Sequence, residues 1–208
     1  MRAPVHDLHV GNLLTYGALA AALAAVAAAH GTGAPATAGA AAGAAVAGGW
    51  LALAALLDTF DGRFARCFNR SPRQRRIGGE LDSLVDACAF GVAPVAVLAS
   101  VSLPDGGLPA AAWWGSAFAY VAAVVTRLGF YNVEGDDTRF VGLPTPAAAL
   151  IWSTYLLWPA PSPAWIVPVL FIGCALAMIA PITIARPRAP GLAAFALWAV
   201  ALVFWHLR

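Results

Sequence analysis

Four aspartates stand where a carboxylate is costly. Asp58 and Asp61 close an apolar run in LLDTFDGRFAR, residues 56–66, and Asp82 and Asp86 open the next one in ELDSLVDACAF, residues 80–90. A charged carboxylate near the middle of a membrane-spanning helix costs roughly 2.5–3.5 kcal/mol on insertion scales, so four of them need a reason. The first pair is spaced i, i+3 and the second i, i+4, so on helices each pair occupies one face. Four close carboxylates cannot all stay ionised uncompensated: protons or cations must enter. Hard dications such as Mg²⁺, Mn²⁺ or Ca²⁺ take oxygen ligands, and two of them bridged by four aspartates would hold a pyrophosphate and neutralise charge as a P–O bond breaks.

The small residues beside the acids fit that chemistry. Gly62 follows Asp61 and removes a side chain where a nucleotide would approach the helix, Ala65 is nearly as small, and Arg66 supplies a planar donor fork suited to phosphate. Simple pairing of the acids with neighbouring arginines would balance charge. It would account neither for the small residues nor for two doublets on facing helices.

The elements that must position these groups are membrane helices. Of 208 residues 61% are hydrophobic and 11% charged, and all twelve basic residues are arginine. Apolar runs fall near residues 11–30, 40–60, 81–101, 109–130, 143–158, 164–184 and 190–206, the fifth and seventh being short. About 20 apolar residues span a bilayer core. The expectation is one all-α integral membrane domain over 1–208, a polytopic bundle of about six to seven transmembrane helices. The two aspartate doublets would meet at the cytoplasmic end of an antiparallel hairpin.

Arginine placement orients the bundle. Arg63, Arg66, Arg70, Arg73, Arg75 and Arg76 lie between the second and third runs, Arg127 and Arg139 flank the loop after the fourth, and Arg186 and Arg188 follow the sixth. With Arg2 they put the N-terminus and the aspartates on the cytoplasmic side of the inner membrane by the positive-inside rule. The first run, preceded by acid and histidine, is expected to be retained and not cleaved as a signal peptide. Gly39 and Gly43 form a GxxxG, a spacing that lets helix backbones approach and can serve dimerisation. Trp113, Trp114, Trp158, Trp165 and Trp205 near run ends are expected as interfacial anchors. Cys67, Cys88 and Cys174 lack metal or disulfide spacing, and His6, His9, His30 and His206 do not cluster and are expected at the surface or interface. Nothing calls for a nucleic-acid partner.

Asp58-x-x-Asp61-Gly62-x-x-Ala65-Arg66, followed by Gly78-x-x-x-Asp82-x-x-x-Asp86, resembles the signature of the CDP-alcohol phosphotransferases, integral membrane enzymes of phospholipid synthesis, and all eight fixed positions are present. The resemblance implies that Asp58, Asp61 and Asp82 ligate metal and that Asp86 completes the site and acts as general base. It also implies that Gly62, Ala65, Arg66 and Gly78 bind CDP, that two divalent cations, Mg²⁺ or Mn²⁺, are cofactors, and that the protein is a homodimer. An alcohol would attack the β-phosphorus of a CDP-linked lipid, with CMP leaving. The segment CFNRSPRQRRI, residues 67–77, is two or three residues longer than the family's usual spacing and could close over the nucleotide or meet anionic lipid.

AFGVAP at 89–94 and FVGLPTPAAA at 140–149 are similar to strings of the phosphatidylserine synthase branch, which implies CDP-diacylglycerol as donor and L-serine as acceptor. Two departures bear on the acceptor. GNLLT keeps Asn12 and Thr15 without the branch's preceding proline, and Arg127-Leu-Gly-Phe130-Tyr131-Asn132 carries one arginine where the branch has two. Candidates for the acceptor or lipid site are Asn12, Thr15, Arg127, Arg139, Pro144 and Pro146. The prolines with Gly142 disrupt regular hydrogen bonding and could wall a cavity, or they could simply start a helix. Glycerol 3-phosphate, an inositol phosphate or another polar alcohol is the alternative acceptor, although phosphorylated acceptors would call for more basic residues than Arg127 and Arg139. A divalent-cation transporter is the remote alternative, set against by acids clustered at one end; the Asp-Gly and Ala-Arg elements likewise argue against an aspartate-rich prenyltransferase.

Overall fold

A computed structural model describes residues 9–31, 40–134, 139–158, 162–185 and 189–208, with backbone alone at 40, 41, 134, 139, 140, 184, 185 and 189. Arg2, His6, Gly39, Arg186 and Arg188 lie outside the described residues. Each apolar run of the sequence falls on a helix. After a 3₁₀ turn, Val10–Asn12, come α1 (Leu13–Ala29), α2 (Ala40–Arg66), α3 (Pro72–Asp86), a π-helical segment (Ala87–Val92), α4 (Ala93–Ser102), α5 (Gly107–Glu134), α6 (Thr145–Tyr155), α7 (Ile166–Ile179) and α8 (Ala189–His206). The only strands among the described residues are β1 (Arg139–Val141) and β2 (Thr183–Ala185), which pair antiparallel with Phe140 opposite Ile184.

Among the described residues, four helical segments are long and apolar enough to cross a membrane: Val10–Ala29, Ala42–Arg66, Pro72–Ser102 and Gly107–Val133. The 11 residues of α6 reach about 16 Å and the 14 of α7 about 21 Å, short of the roughly 30 Å core. Many large apolar side chains point outward, among them Leu23, Phe118, Leu176 and Leu197, as lipid contact requires.

Small residues set the helix spacing. Ala18, Ala21, Ala22 and Ala25 of α1 are buried against the alanine-rich face of α2. A Cβ on Gly43 would stand 2.7 Å from Ala28 O, so this glycine is used inside the chain to bring α2 against α1. The other half of the core is aromatic: Trp113, Tyr120, Trp152 and Phe171 are fully buried, with Trp113 and Phe171 edge to face at 5.4 Å. Trp113 is therefore no interfacial anchor. Its indole donates to Ser102 Oγ at 3.3 Å inside the bundle, while Trp114, Trp158, Trp165 and Trp205 are exposed as expected. His206 is also corrected: buried at the end of α8, it lies over Gly48 and Gly49 and its Nε2 is 3.0 Å from Ser153 O.

The third helix begins nine residues before its apolar run. Ser71 accepts from Gln74 N at 3.2 Å, Gln74 Oε1 accepts from Ser71 N at 3.0 Å, and Pro72 opens the helix. This capping box turns most of the arginine-rich segment into the first turns of α3.

Candidate active site

The four aspartates converge in pairs of reversed order, Asp58 with Asp86 and Asp61 with Asp82, as two antiparallel helices would bring them together. Ligand oxygens of Asp58, Asp82 and Asp86 all lie within 4.8 Å of one another. Asp86 faces Asp58 and Asp82 faces Asp61. Asp61 is buried beside the N-terminal end of α1, where its Oδ2 accepts from Thr15 Oγ1 at 2.8 Å. The donor set is all oxygen, and Asp86 Oδ1 is buried without a hydrogen-bond partner. Clustered anionic oxygens with an unsatisfied lone pair fit a hard dication.

On one side of the cluster opens a cleft of about 170 Å³, lined by Gly11, Asn12, Thr15, Asp61, Gly62, Ala65, Arg70, Arg75, Gly78, Gly79 and Asp82. Gly62, Ala65 and Gly78 of the motif share it with Asn12 and Thr15, which are thus set beside the candidate CDP residues and not beside Asp86. Arg66 is exposed and borders an adjoining hollow of about 420 Å³ with Phe68, Asn69, Arg70, Ser71 and Arg75. A Cβ on Gly78 would stand 2.9 Å from the Arg70 guanidinium and 3.1 Å from Asn12 Oδ1.

On the other side stand residues from α5 and α6. Thr145 Oγ1 donates to Asp86 Oδ2 at 3.2 Å. Arg127 is buried near Asp86, its guanidinium carbon 4.5 Å over the Tyr131 ring and its Nε without a partner. Tyr131 in turn donates to Val141 O at 3.1 Å and accepts from Val141 N, tying α5 to β1. Arg139 opens β1, and its side chain lies outside the described structure.

The GLPTPAAA segment is a proline-initiated helix start whose backbone is paired. Gly142, at φ 69°, donates through N to Ile182 O at 2.9 Å, and Leu143 N donates to Ala177 O at 2.8 Å. A Cβ at Gly142 would collide with the carbonyl of Met178. Pro144 is the N-cap of α6 and Pro146 lies in its first turn, and it is Thr145 between them that reaches Asp86.

The π-helical segment immediately after Asp86 has a local cause. Pro94 has no N–H to offer the carbonyl four residues back, that of Phe90, and its ring would crowd that oxygen in a regular helix. The chain widens instead, with Ala93 N bonding five residues back to Cys88 O. Tyr120 Oη then donates to Phe90 O at 2.5 Å and accepts from Trp152 Nε1 at 3.0 Å. The AFGVAP string thus fixes the turn that presents Asp86.

No sequence motif marks Thr145, Arg70, Arg75 or Tyr120 as site residues; the structure brings Thr145 to Asp86 and Arg70 with Arg75 to the cleft. For Thr145 the signal was its position between two prolines, whereas nothing in the sequence marks Tyr120.

The family model for CDP-alcohol phosphatidyltransferase matches residues 8–205. A CDP-diacylglycerol–serine O-phosphatidyltransferase of Mycobacterium leprae is 41% identical over 108 residues, 48% of this chain and 34% of that protein. One from Helicobacter pylori is 37% identical over 107 residues, 49% of this chain and 42% of that protein. An archaetidylserine synthase of Methanothermobacter thermautotrophicus is 32% identical over 117 residues, 51% of this chain and 44% of that protein. The matched segment thus spans between a third and a half of the length of these relatives. No solved structure matches significantly.

Proposed function

Since the chain belongs to the CDP-alcohol phosphatidyltransferase family, we propose that it transfers the phosphatidyl group of CDP-diacylglycerol to L-serine, giving phosphatidylserine and CMP. The observation that carries this reading is the environment of Asp86, set between a carboxylate cluster on one side and Thr145 with Arg127 on the other.

Asp58, Asp61, Asp82 and Asp86 would hold two divalent cations, Mg²⁺ or Mn²⁺, which supply charge neutralisation at the diphosphate. The cleft of Gly62, Ala65 and Gly78 takes the CDP moiety, with Asn12 and Thr15 as part of its wall. Thr145 holds Asp86 Oδ2, and of the two lone pairs of Oδ1 one would face a cation while the other receives the proton of the acceptor hydroxyl. As that proton moves to Asp86, the alcohol oxygen bonds to the β-phosphorus. The bond from that phosphorus to the bridging oxygen breaks, and CMP carries the electron pair away.

Arg127 favours serine. It is the basic group beside Asp86 among the described residues, and a single guanidinium suits one carboxylate. The homologous proteins named for serine transfer point the same way. The bundle lies in the cytoplasmic membrane with this site facing the cytoplasm, as the arginine distribution indicates.

The test is CMP release by purified protein with CDP-diacylglycerol and a panel of serine, glycerol 3-phosphate and inositol phosphate, each with Mg²⁺ or Mn²⁺, the lipid products read by mass spectrometry. Phosphatidylserine as the main product is the expected result. No CMP with any acceptor would sink the reading, and a phosphorylated acceptor preferred over serine would replace the acceptor assignment.

A further inference from the structure

We propose that Arg70 and Arg75 form an arm that holds the phosphate of the nucleotide in the donor cleft. The inference rests on the family reading of that cleft and adds two residues outside the eight-position motif. Both come from the segment that is longer than the family's usual spacing.

Arg70 lies in the connection between α2 and α3, and Arg75 in the first turns of α3 created by the Ser71 capping box. Both line the 170 Å³ cleft together with Asp61, Gly62, Ala65, Gly78 and Asp82. Both also line the adjoining hollow, so they stand where the two spaces meet. Arg70 lies across two glycines: a Cβ on Gly11 would be 3.3 Å from Arg70 Cδ, and one on Gly78 would be 2.9 Å from its Nη1. The missing side chains make room for a guanidinium, whose position is set by backbone on both sides. Neither guanidinium makes a hydrogen bond or ion pair among the described residues; Arg75 is held only through its backbone N, which donates to Ser71 O at 3.0 Å.

A second observation points to a ligand in the same space. Asn12 lines the cleft with 3% of its surface exposed, its Nδ2 has no hydrogen-bond partner, and its Oδ1 faces the Arg70 side of Gly78. A buried amide donor with nothing to donate to, beside two unpaired guanidinium forks, fits an acceptor-rich anionic ligand. The carboxylates at the inner end would repel such a ligand unless cations covered them, so the arginines supply the positive charge that belongs to the protein itself. Docking of these arginines on anionic lipid is the competing use, and it predicts a dependence on the bilayer that binding of a soluble nucleotide does not share.

The experiment measures calorimetric affinity for CMP, CDP and cytidine in neutral detergent with Mg²⁺, for the full chain and for Arg70→Ala, Arg70→Lys and Arg75→Ala. Arg76→Ala, an exposed arginine outside both spaces, is the control. Each alanine variant is expected to weaken CMP and CDP about tenfold, the order of one charge-assisted hydrogen bond. Cytidine affinity should stay unchanged, Arg70→Lys should recover part of the loss, and Arg76→Ala should match wild type. Unchanged CMP affinity in both alanine variants overturns the proposal, as does an equal loss for cytidine, which would mark a purely structural role. An effect present only in vesicles containing anionic lipid also overturns it. A wild-type protein that binds CMP as expected but releases none from CDP-diacylglycerol would overturn the transferase reading alone, leaving the arm in place.

Discussion

Thr145 Oγ1 donates to Asp86 Oδ2 at 3.2 Å, joining residues 59 positions apart in the chain. The contact fixes one oxygen of a buried carboxylate while the other has no partner. A base held in this way loses a proton-accepting direction if its tether is cut. Thr145→Val should therefore lower kcat about 10- to 100-fold with little change in KM for CDP-diacylglycerol, because a hydrogen bond to a charged group contributes about 1.5–3 kcal/mol. Thr145→Ser, which keeps the hydroxyl, should stay near wild type in the same CMP-release assay.

Asp86→Asn removes the proton acceptor and keeps the shape. CMP release should fall by about 10²–10⁴, the usual contribution of a positioned base. Binding of CMP, read by calorimetry, should persist, since Asp61, Gly62 and Gly78 line the cleft without Asp86. A variant with wild-type turnover would reject the base assignment.

Arg127 separates acceptor binding from donor binding. Arg127→Lys keeps the charge and loses the planar fork, so KM for serine should rise by about tenfold or more while KM for CDP-diacylglycerol holds. Initial-rate kinetics with each substrate varied in turn would check this. Equal effects on both substrates would place Arg127 in the fold and not at the acceptor.

Removal of divalent cations should abolish CMP release, and Mg²⁺ or Mn²⁺ should restore it. Asp58, Asp82 and Asp86 crowd their oxygens within 4.8 Å, an arrangement that like charges alone would oppose. Activity that survives exhaustive chelation would contradict the role given to the cluster.

Tyr120→Phe tests the π-helical turn. It removes the donor to Phe90 O and the acceptor for Trp152 Nε1, both buried. The expected cost is about 1–3 kcal/mol, seen as a lower Tm of the detergent-purified protein, at roughly 2–4 °C per kcal/mol for a chain of this size. Because the turn presents Asp86, kcat should fall with it even below the melting range.

Much of the candidate site was legible in local spacing. Two aspartate doublets with i, i+3 and i, i+4 periods, small residues beside them and apolar runs on either side imply a helical hairpin with carboxylates at one end. Periodicity and hydropathy are local properties, so a linear string carries them. That each of the seven apolar runs is helical among the described residues follows from the same information. Where local reading failed, it did so for identifiable causes: α3 starts at Pro72 because a Ser71–Gln74 capping box outweighs the low hydropathy of an arginine-rich stretch.

The tertiary structure decided what the aspartates face. That Asp86 receives Thr145 and Arg127, while Thr15 meets Asp61 and shares its cleft with Asn12, depends on how α1, α5 and α6 pack around the hairpin. The same is true of Trp113 and His206, whose chain positions near run ends suggest an interface and whose neighbours bury them. Sequence alone determined the elements and the chemistry of their residues, because both are set by side-chain type at short range. Partners across the bundle were settled only by the fold, because packing between helices rests on shape and on single hydrogen bonds with no signature in the spacing of either strand of sequence.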